Sequence, residues 1–199
     1  VMLDKYVWGE VTRISPEAPV QIVKAIRESY APGGAANVAN NVAALGGKVD
    51  LVGFSGDDEA RKKLIGELGR IGISTRGVFI DNKRPTIQKV RILGRSQQLL
   101  RVDYEDNNTI NNEVEKKIIN YISGNIGDVE GVIISDYAKV IITEKTAAMI
   151  IGLCNEKRKI VVADPKPQNK NFYKNTTVIT PTHIEARQMA GIIGKGNAP

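Results

Sequence analysis

The stretch PGGAANVANNVAALGG, Pro32 to Gly47, decides how this 199-residue sequence is read. It holds two glycine pairs, a run of alanines and three asparagines, and it carries no charge. No charged residue occurs between Glu28 and Lys48, which predicts a helix buried in a core. On a helical wheel Val38, Val42 and Leu45 form an apolar stripe, while Asn37, Asn40 and Asn41 fall on a polar side. Unpaired buried amides cost ~1–3 kcal/mol each, so Asn40 and Asn41 are expected to bind backbone carbonyls of neighbouring loops. Asn37 differs because it sits in the first turn beside Gly33 and Gly34. Glycines admit a ligand close to the backbone, and a helix N-terminus offers free N–H donors. That first turn suits a polar, hydroxyl-rich or anionic ligand.

Outward from this helix, strand-like and helix-like segments alternate. KVDLVGFSG reads as a strand. DDEARKKLIGELGRIGI reads as a helix with Asp57 or Asp58 as N-cap and Gly72 as its stop. NNEVEKKIINYISGNIG, TEKTAAMIIGLCNEK and HIEARQMA read as helices, and GVIISDYA, KIVVADPK and TTVITPT as strands. Short apolar runs between amphipathic helices predict an α/β fold with a mostly parallel sheet covered on both faces. Ligands of such sheets sit at the carboxyl ends of strands. This directs attention to Asp136 and Lys139, Asp164 and Lys166, and Thr180 to Glu185.

Two segments break the alternation. VWGEVTRISPEAPVQIVKAIRES reads as strands, with prolines at 16 and 19, and TIQKVRILGRSQQLLRVDYE reads as a hairpin. Lys89 and Arg91 share one face of the hairpin, as do Arg101 and Asp103 beyond its turn. Together these segments predict a small inserted sheet, a lid or an interface, over about 6–30 and 84–105. Lys89, Arg91 and Arg101 fit a substrate phosphate, and equally a solvated face guarding a strand edge.

Other chemistries find little support. G-x-G-x-x-G and G-x-x-x-x-G-K-[ST] are both absent, and Gly46–Gly47 ends a helix where a phosphate loop would begin one. A single cysteine, Cys154, excludes an intrachain disulfide, and a single histidine, His183, leaves little for metal clusters or triads. His183 reads as a first-turn helix residue. Hydrophobic residues at 42% and charged residues at 25% are ordinary for a globular protein. No apolar run approaches the ~18 residues that span a bilayer. A cytoplasmic location with no membrane partner is the expectation. The net charge of +6 suits phosphorylated metabolites as well as nucleic acid. Dispersed basic residues and only 5% aromatics speak against nucleic acid.

VMLDKY, RISPEAPV, PGGAANVANNVAALGG, PTIQKVRILGRSQQLLRVDYE, SDYAK, ADPK and TPTHIEA occur in one order with natural spacings. In these segments the chain closely resembles, over essentially its whole length, the kinase domain of bacterial D-glycero-β-D-manno-heptose 7-phosphate kinases. Those enzymes are ribokinase-like (phosphofructokinase-B) sugar kinases. RISPEAP and GRSQQLLRVDYE carry the resemblance to heptose kinases more specifically than the glycine pair does.

The resemblance implies a ribokinase-like three-layer α/β/α sandwich with an inserted β-clasp lid, through which many relatives dimerise. It implies transfer of a phosphoryl group from ATP, with Mg²⁺, to the anomeric 1-hydroxyl of the heptose. Asp4, Gly33, Gly34 and Asn37 match sugar-binding positions. Lys89 and Arg101 match lid residues that face the distal phosphate, with Asp136 and Lys139 near the same pocket. On the nucleotide side the corresponding residues are Lys166, Thr182 and Glu185, and Glu185 contacts the metal through water. Two departures stand out. Thr182 replaces the asparagine of T-P-N-x-x-E, and the G-A-G-D segment that supplies the catalytic base is expected beyond Pro199. By this resemblance the domain is incomplete at both ends: its C-terminal nucleotide-binding half is absent, and so is most of the strand leading into a turn at VMLD.

Overall fold

A computed structural model describes residues 1–95, 97–106, 110–138 and 141–192 of the chain. It divides into two compact units, Val1–Asp106 and Asn107–Pro199. The elements alternate as an α/β fold should, and among the described residues four of the six strand pairings are parallel.

The first unit is organised by strand β1 (Met2–Ile14). VMLD is therefore not a turn: its last three residues begin β1, which continues to Ile14 through the segment expected to form a lid. β1 pairs antiparallel with β2 (Gln21–Gly33) and parallel with β5 (Ile87–Gly94), which pairs antiparallel with β6 (Gln97–Tyr104). The resulting sheet has the order β2-β1-β5-β6. The two segments that broke the helical pattern are thus the two hairpins of one sheet, as their period-two alternation predicts. A second, parallel pair joins β3 (Asp50–Ser55) to β4 (Ser74–Ile80).

Helix α2 (Glu59–Ile71) crosses between β3 and β4. Asp58 is its N-cap, accepting from Arg61 N–H at 2.9 Å, and Gly72 ends it in the left-handed conformation. The second Asp58 oxygen accepts from Thr86 N–H at 2.8 Å, which ties the start of the hairpin to this helix. Leu3, Ala36, Ala39, Leu51, Leu64 and Leu68 are central to the core.

Helix α1 (Ala35–Ala44) corrects one expectation. Its buried face is not Val38, Val42 and Leu45, since Leu45 is 89% exposed. Ala36 and Ala39 are buried instead, with Ala43 packed against the same core. These alanines follow the i, i+3, i+7 spacing, and their small side chains let the helix lie close against β2 and β3. Asn37 and Asn41 are exposed, so their amides face solvent and the helix is half-exposed rather than enclosed. Glycine at 34 is required at the helix start, where φ is 56° and ψ is −130°. Side chains bearing a Cβ are essentially excluded from that conformation.

The second unit is a parallel sheet of β7 (Gly131–Ser135), β8 (Ile160–Asp164) and the two-residue β9 (Val178–Ile179), in that order. Helices α3 (Asn112–Asn125), α4 (Glu144–Glu156) and α5 (His183–Met189) complete it, and His183 opens α5 as expected. Ile134, Ala147, Ile151, Cys154, Val161 and Ala163 form its core. Among the described residues no helix is long and apolar enough to cross a membrane.

Replacing Ala36 with Leu is expected to overpack the interface of α1 with β2 and β3, at a cost of about 1–3 kcal/mol. Replacing Leu45 with Ala should change stability by no more than about 0.5 kcal/mol. Urea unfolding of the two variants checks the face assignment; a larger loss at Leu45 would reverse it.

Candidate functional site

Period-two alternation along β1 puts Asp4, Tyr6 and Trp8 on one face of the four-stranded sheet. Cross-strand register extends two rows of side chains from them. Asp4 lies opposite Lys89, which lies opposite Asp103, and Tyr6 lies opposite Arg91, which lies opposite Arg101. Arg91 Nη1 donates to Asp4 Oδ1 at 2.8 Å. The second carboxylate oxygen of Asp4 leans on Gly33, where a Cβ would sit only 3.0 Å from it. Any side chain at 33 would therefore push Asp4 aside.

Asp4 and Gly33 are thus brought together, with Gly34 next in the chain and Asn37 exposed in the first turn of α1. Gly34 has no side chain with which to cap that turn. Arg101 makes a two-pronged pair with Asp103, Nε to Oδ1 at 2.8 Å and Nη2 to Oδ2 at 3.0 Å. Lys89 Nζ approaches the same Oδ2 at 3.6 Å. Burial pushes the Asp103 carboxyl up, but these two cations outweigh it and hold the group below the usual carboxylate range.

The aromatic side chains carry cations as well. The Arg91 guanidinium lies 5.3 Å from the Tyr6 ring centre, and that of Arg27 lies 5.0 Å from the Trp8 ring. Tyr6 and Trp8 stack at 6.4 Å, and Trp8 Nε1 donates to Ser29 Oγ at 3.1 Å. Neither Tyr6 nor Trp8 was singled out from the sequence; the alternation along β1 was the signal that could have found them. Nothing in the sequence signalled that Arg91, rather than Lys89, would reach Asp4.

In the second unit the parallel strands bring their carboxyl ends together. Asp136 follows β7, Lys166 follows β8, and Thr182 and Glu185 follow β9. Asp136 is buried, and its oxygens are already engaged. Oδ2 accepts from Tyr173 Oη at 2.7 Å and Asn169 Nδ2 at 2.8 Å, and Oδ1 accepts from Ala138 N–H at 2.6 Å. Burial, with the Asp136 hydrogen bond next, pushes the Tyr173 hydroxyl pKa far up, so it stays a donor. Lys139 lies outside the described residues.

Lys166 Nζ donates to Glu185 Oε1 at 2.6 Å. Glu185 Oε2 accepts from Thr182 N–H at 2.9 Å and Thr182 Oγ1 at 2.8 Å, and Glu185 N–H donates back to Thr182 Oγ1 at 3.3 Å. This is a reciprocal capping box at the start of α5, and T-x-x-E in the sequence was its readable signal. The Lys166 hydrogen bond, followed by the two from Thr182, lowers the Glu185 carboxyl to about 2. Beside this pair, Asp164 is pushed up by burial and by the Glu185 and Asp136 charges, against the pull of Lys166. Among the described residues no three His, Cys, Asp or Glu side chains cluster closely enough to hold a metal ion by themselves.

The pattern described as pfkB family carbohydrate kinase matches residues 4–198. The chain is 39% identical over 198 residues to the bifunctional protein HldE of Desulfatibacillum aliphaticivorans, covering 100% of this chain and 40% of that protein. It is 41% identical over 192 residues to HldE of Aliarcobacter butzleri, covering 96% of this chain and 40% of that protein. The chain thus spans about 40% of the length of these relatives. Among solved structures, the tetrameric inhibited form of phosphofructokinase-2 from Escherichia coli superposes with a TM-score of 0.72 at 16% identity, over 96% of this chain and 61% of that one. Arabidopsis thaliana ribokinase complexed with ribose and ATP gives 0.64 at 17%, over 95% of this chain and 60% of that one. At such identities these likenesses concern the fold alone, which is ribokinase-like. With its sequence pattern matched almost from end to end, the chain belongs to the pfkB family of carbohydrate kinases.

Proposed function

We propose that the chain is the sugar-binding part of a kinase that phosphorylates D-glycero-β-D-manno-heptose 7-phosphate at the anomeric 1-hydroxyl. The observation that carries this reading is the shared sheet face on which Asp4, seated against Gly33, lies one strand from a cluster of lysine and arginine. A carboxylate accepts hydrogen bonds from sugar hydroxyls, and guanidinium and ammonium groups bind a phosphate. Similarity to HldE along the whole chain supports the heptose as the sugar.

In this reading Asp4 and Asn37 hold sugar hydroxyls, and the Gly33–Gly34 backbone lets the ring come close. Lys89 and Arg101 hold the distal phosphate. Asp136, locked by Asn169 and Tyr173, positions the strand end near which Lys139 follows. Lys166, Thr182 and Glu185 form the nucleotide side. Their donor set fits Mg²⁺ only as an ion that keeps its waters, because Glu185 is a single carboxylate already tied to Lys166 and Thr182. ATP and Mg²⁺ supply the transferable phosphoryl group and screen its charge. No aspartate of this chain is assigned the role of catalytic base. The product, a 1,7-bisphosphate, would feed nucleotide-activated heptose synthesis for lipopolysaccharide core or capsule in the cytoplasm. The sheet of β2, β1, β5 and β6 is proposed as the homodimer contact.

Turnover by the complete enzyme over a panel of phosphosugars tests the substrate: faster reaction with fructose 6-phosphate than with the heptose would sink it. Arg101→Ala is expected to raise KM for the phosphorylated sugar by about ten- to a hundredfold, the loss of one charged hydrogen bond. An unchanged KM would return Arg101 to the solvated strand edge.

The nucleotide side has its own pH signature. Because the folded carboxyl of Glu185 is depressed to about 2, its pair with Lys166 stabilises the fold fully above the ordinary glutamate range and is lost as pH falls toward 2. Carbon-13 NMR of the Glu185 carboxyl should show it still ionised at about pH 3.5 and titrating closer to ~4.3 in Lys166→Met. A wild-type carboxyl that titrates at the ordinary value would remove the pair.

A further inference from the structure

The hairpin of β5 and β6 places Arg91 directly opposite Arg101. Like charges directly opposite one another across strands repel, so such a pair needs counter-charges. Each guanidinium finds its own. Arg91 crosses to Asp4 on β1, while Arg101 turns along its own strand to Asp103. Asp103 serves two cations at once, because Lys89 Nζ also lies 3.6 Å from its Oδ2. Two oxygens facing a guanidinium in a fork, with an ammonium at their side, is the arrangement a phosphoryl group would present to the same residues. The site is open to such an exchange, since the Arg101 side chain is 48% exposed and Asp103 is 26% exposed. Within this cluster the three cations Lys89, Arg91 and Arg101 face the two carboxylates Asp4 and Asp103.

We propose that Asp103 is a built-in counter-ion that holds the phosphate-binding cations in place and competes with the substrate's phosphoryl group for them, so that it sets the threshold of anion binding at the lid. This rests on the reading of the lid as the phosphate side of the sugar pocket. A dianion displaces Asp103 from Arg101 and Lys89, whereas a neutral sugar or a monocarboxylate gains too little to do so. Asp103 is thus a specificity-determining residue that need not touch the sugar.

Inorganic phosphate is the probe, because it carries the dianion without any sugar. By titration calorimetry Asp103→Asn should bind phosphate about tenfold more tightly than wild type, and the gain should vanish when Arg101→Gln is added. Circular dichroism and the melting temperature establish that the variants are folded. Binding no tighter than wild type in a folded Asp103→Asn protein overturns the proposal, as does phosphate binding to neither. A readout in the unmutated protein stands apart from any folding defect: the Arg101 Nε–H resonance should move as phosphate saturates, and a resonance that stays put overturns the proposal. The outcome separates from that of the proposed function. A preference for another phosphosugar would sink the heptose assignment and leave the phosphate result standing. A failed exchange with normal heptose turnover would do the reverse.

Discussion

At the edge of a packed core Arg91 meets Asp4 at 2.8 Å, and the first unit is arranged around that contact. Asp4 is two residues from the start of β1, with fully buried Leu3 beside it, and its side chain is only 18% exposed. A carboxylate so placed is costly without a hydrogen-bonding partner. The partner comes from 87 residues away, across a parallel pairing that sets Asp4 opposite Lys89 and Tyr6 opposite Arg91. One strand therefore carries both the proposed hydroxyl-binding group and the register that delivers the cations.

The same solution recurs at three of the polar positions of interest. Arg91 with Asp4, Arg101 with Asp103 and Lys166 with Glu185 are all carboxylate–cation pairs at 2.6 to 3.0 Å. In the absence of a ligand such pairs keep strongly hydrated groups oriented and stop the cations from repelling one another. When an anion arrives, its binding is the difference between two sets of charged contacts rather than the sum of new ones. Partial exposure makes that exchange feasible, because exposed pairs contribute little net stability.

Much of this was legible in the residues. Period-two alternation placed Lys89 with Arg91 and Arg101 with Asp103, and turn and cap residues located Asp58, Gly72 and the start of α5 at His183. Helix α1 misled because valine and leucine outrank alanine in hydrophobicity, whereas close contact with two strands selects the smallest side chains, Ala36 and Ala39. Long-range partners were the illegible part. Asp136 reads from sequence as an open strand-end carboxylate. Asn169 and Tyr173, 33 and 37 residues later, occupy it instead, and no local pattern encodes that. Arg91 was visible as one of three similar cations, but only the three-strand register distinguishes it from Lys89.

Thr182 shows how a departure from a family pattern can be absorbed locally. Where the resemblance implies asparagine, Thr182 caps the helix, because its hydroxyl accepts from Glu185 N–H while donating to Glu185 Oε2. The cap occupies one carboxylate oxygen, and Lys166 occupies the other. Glu185 is therefore fixed in direction and kept ionised, yet both its oxygens are engaged. A carboxylate in that state can still order the water shell of a cation held by nucleotide phosphates, but it cannot replace a water of that shell without giving up Lys166 or the cap. The proposed contact of Glu185 with a metal is therefore one through water, for a reason that lies in two neighbouring side chains.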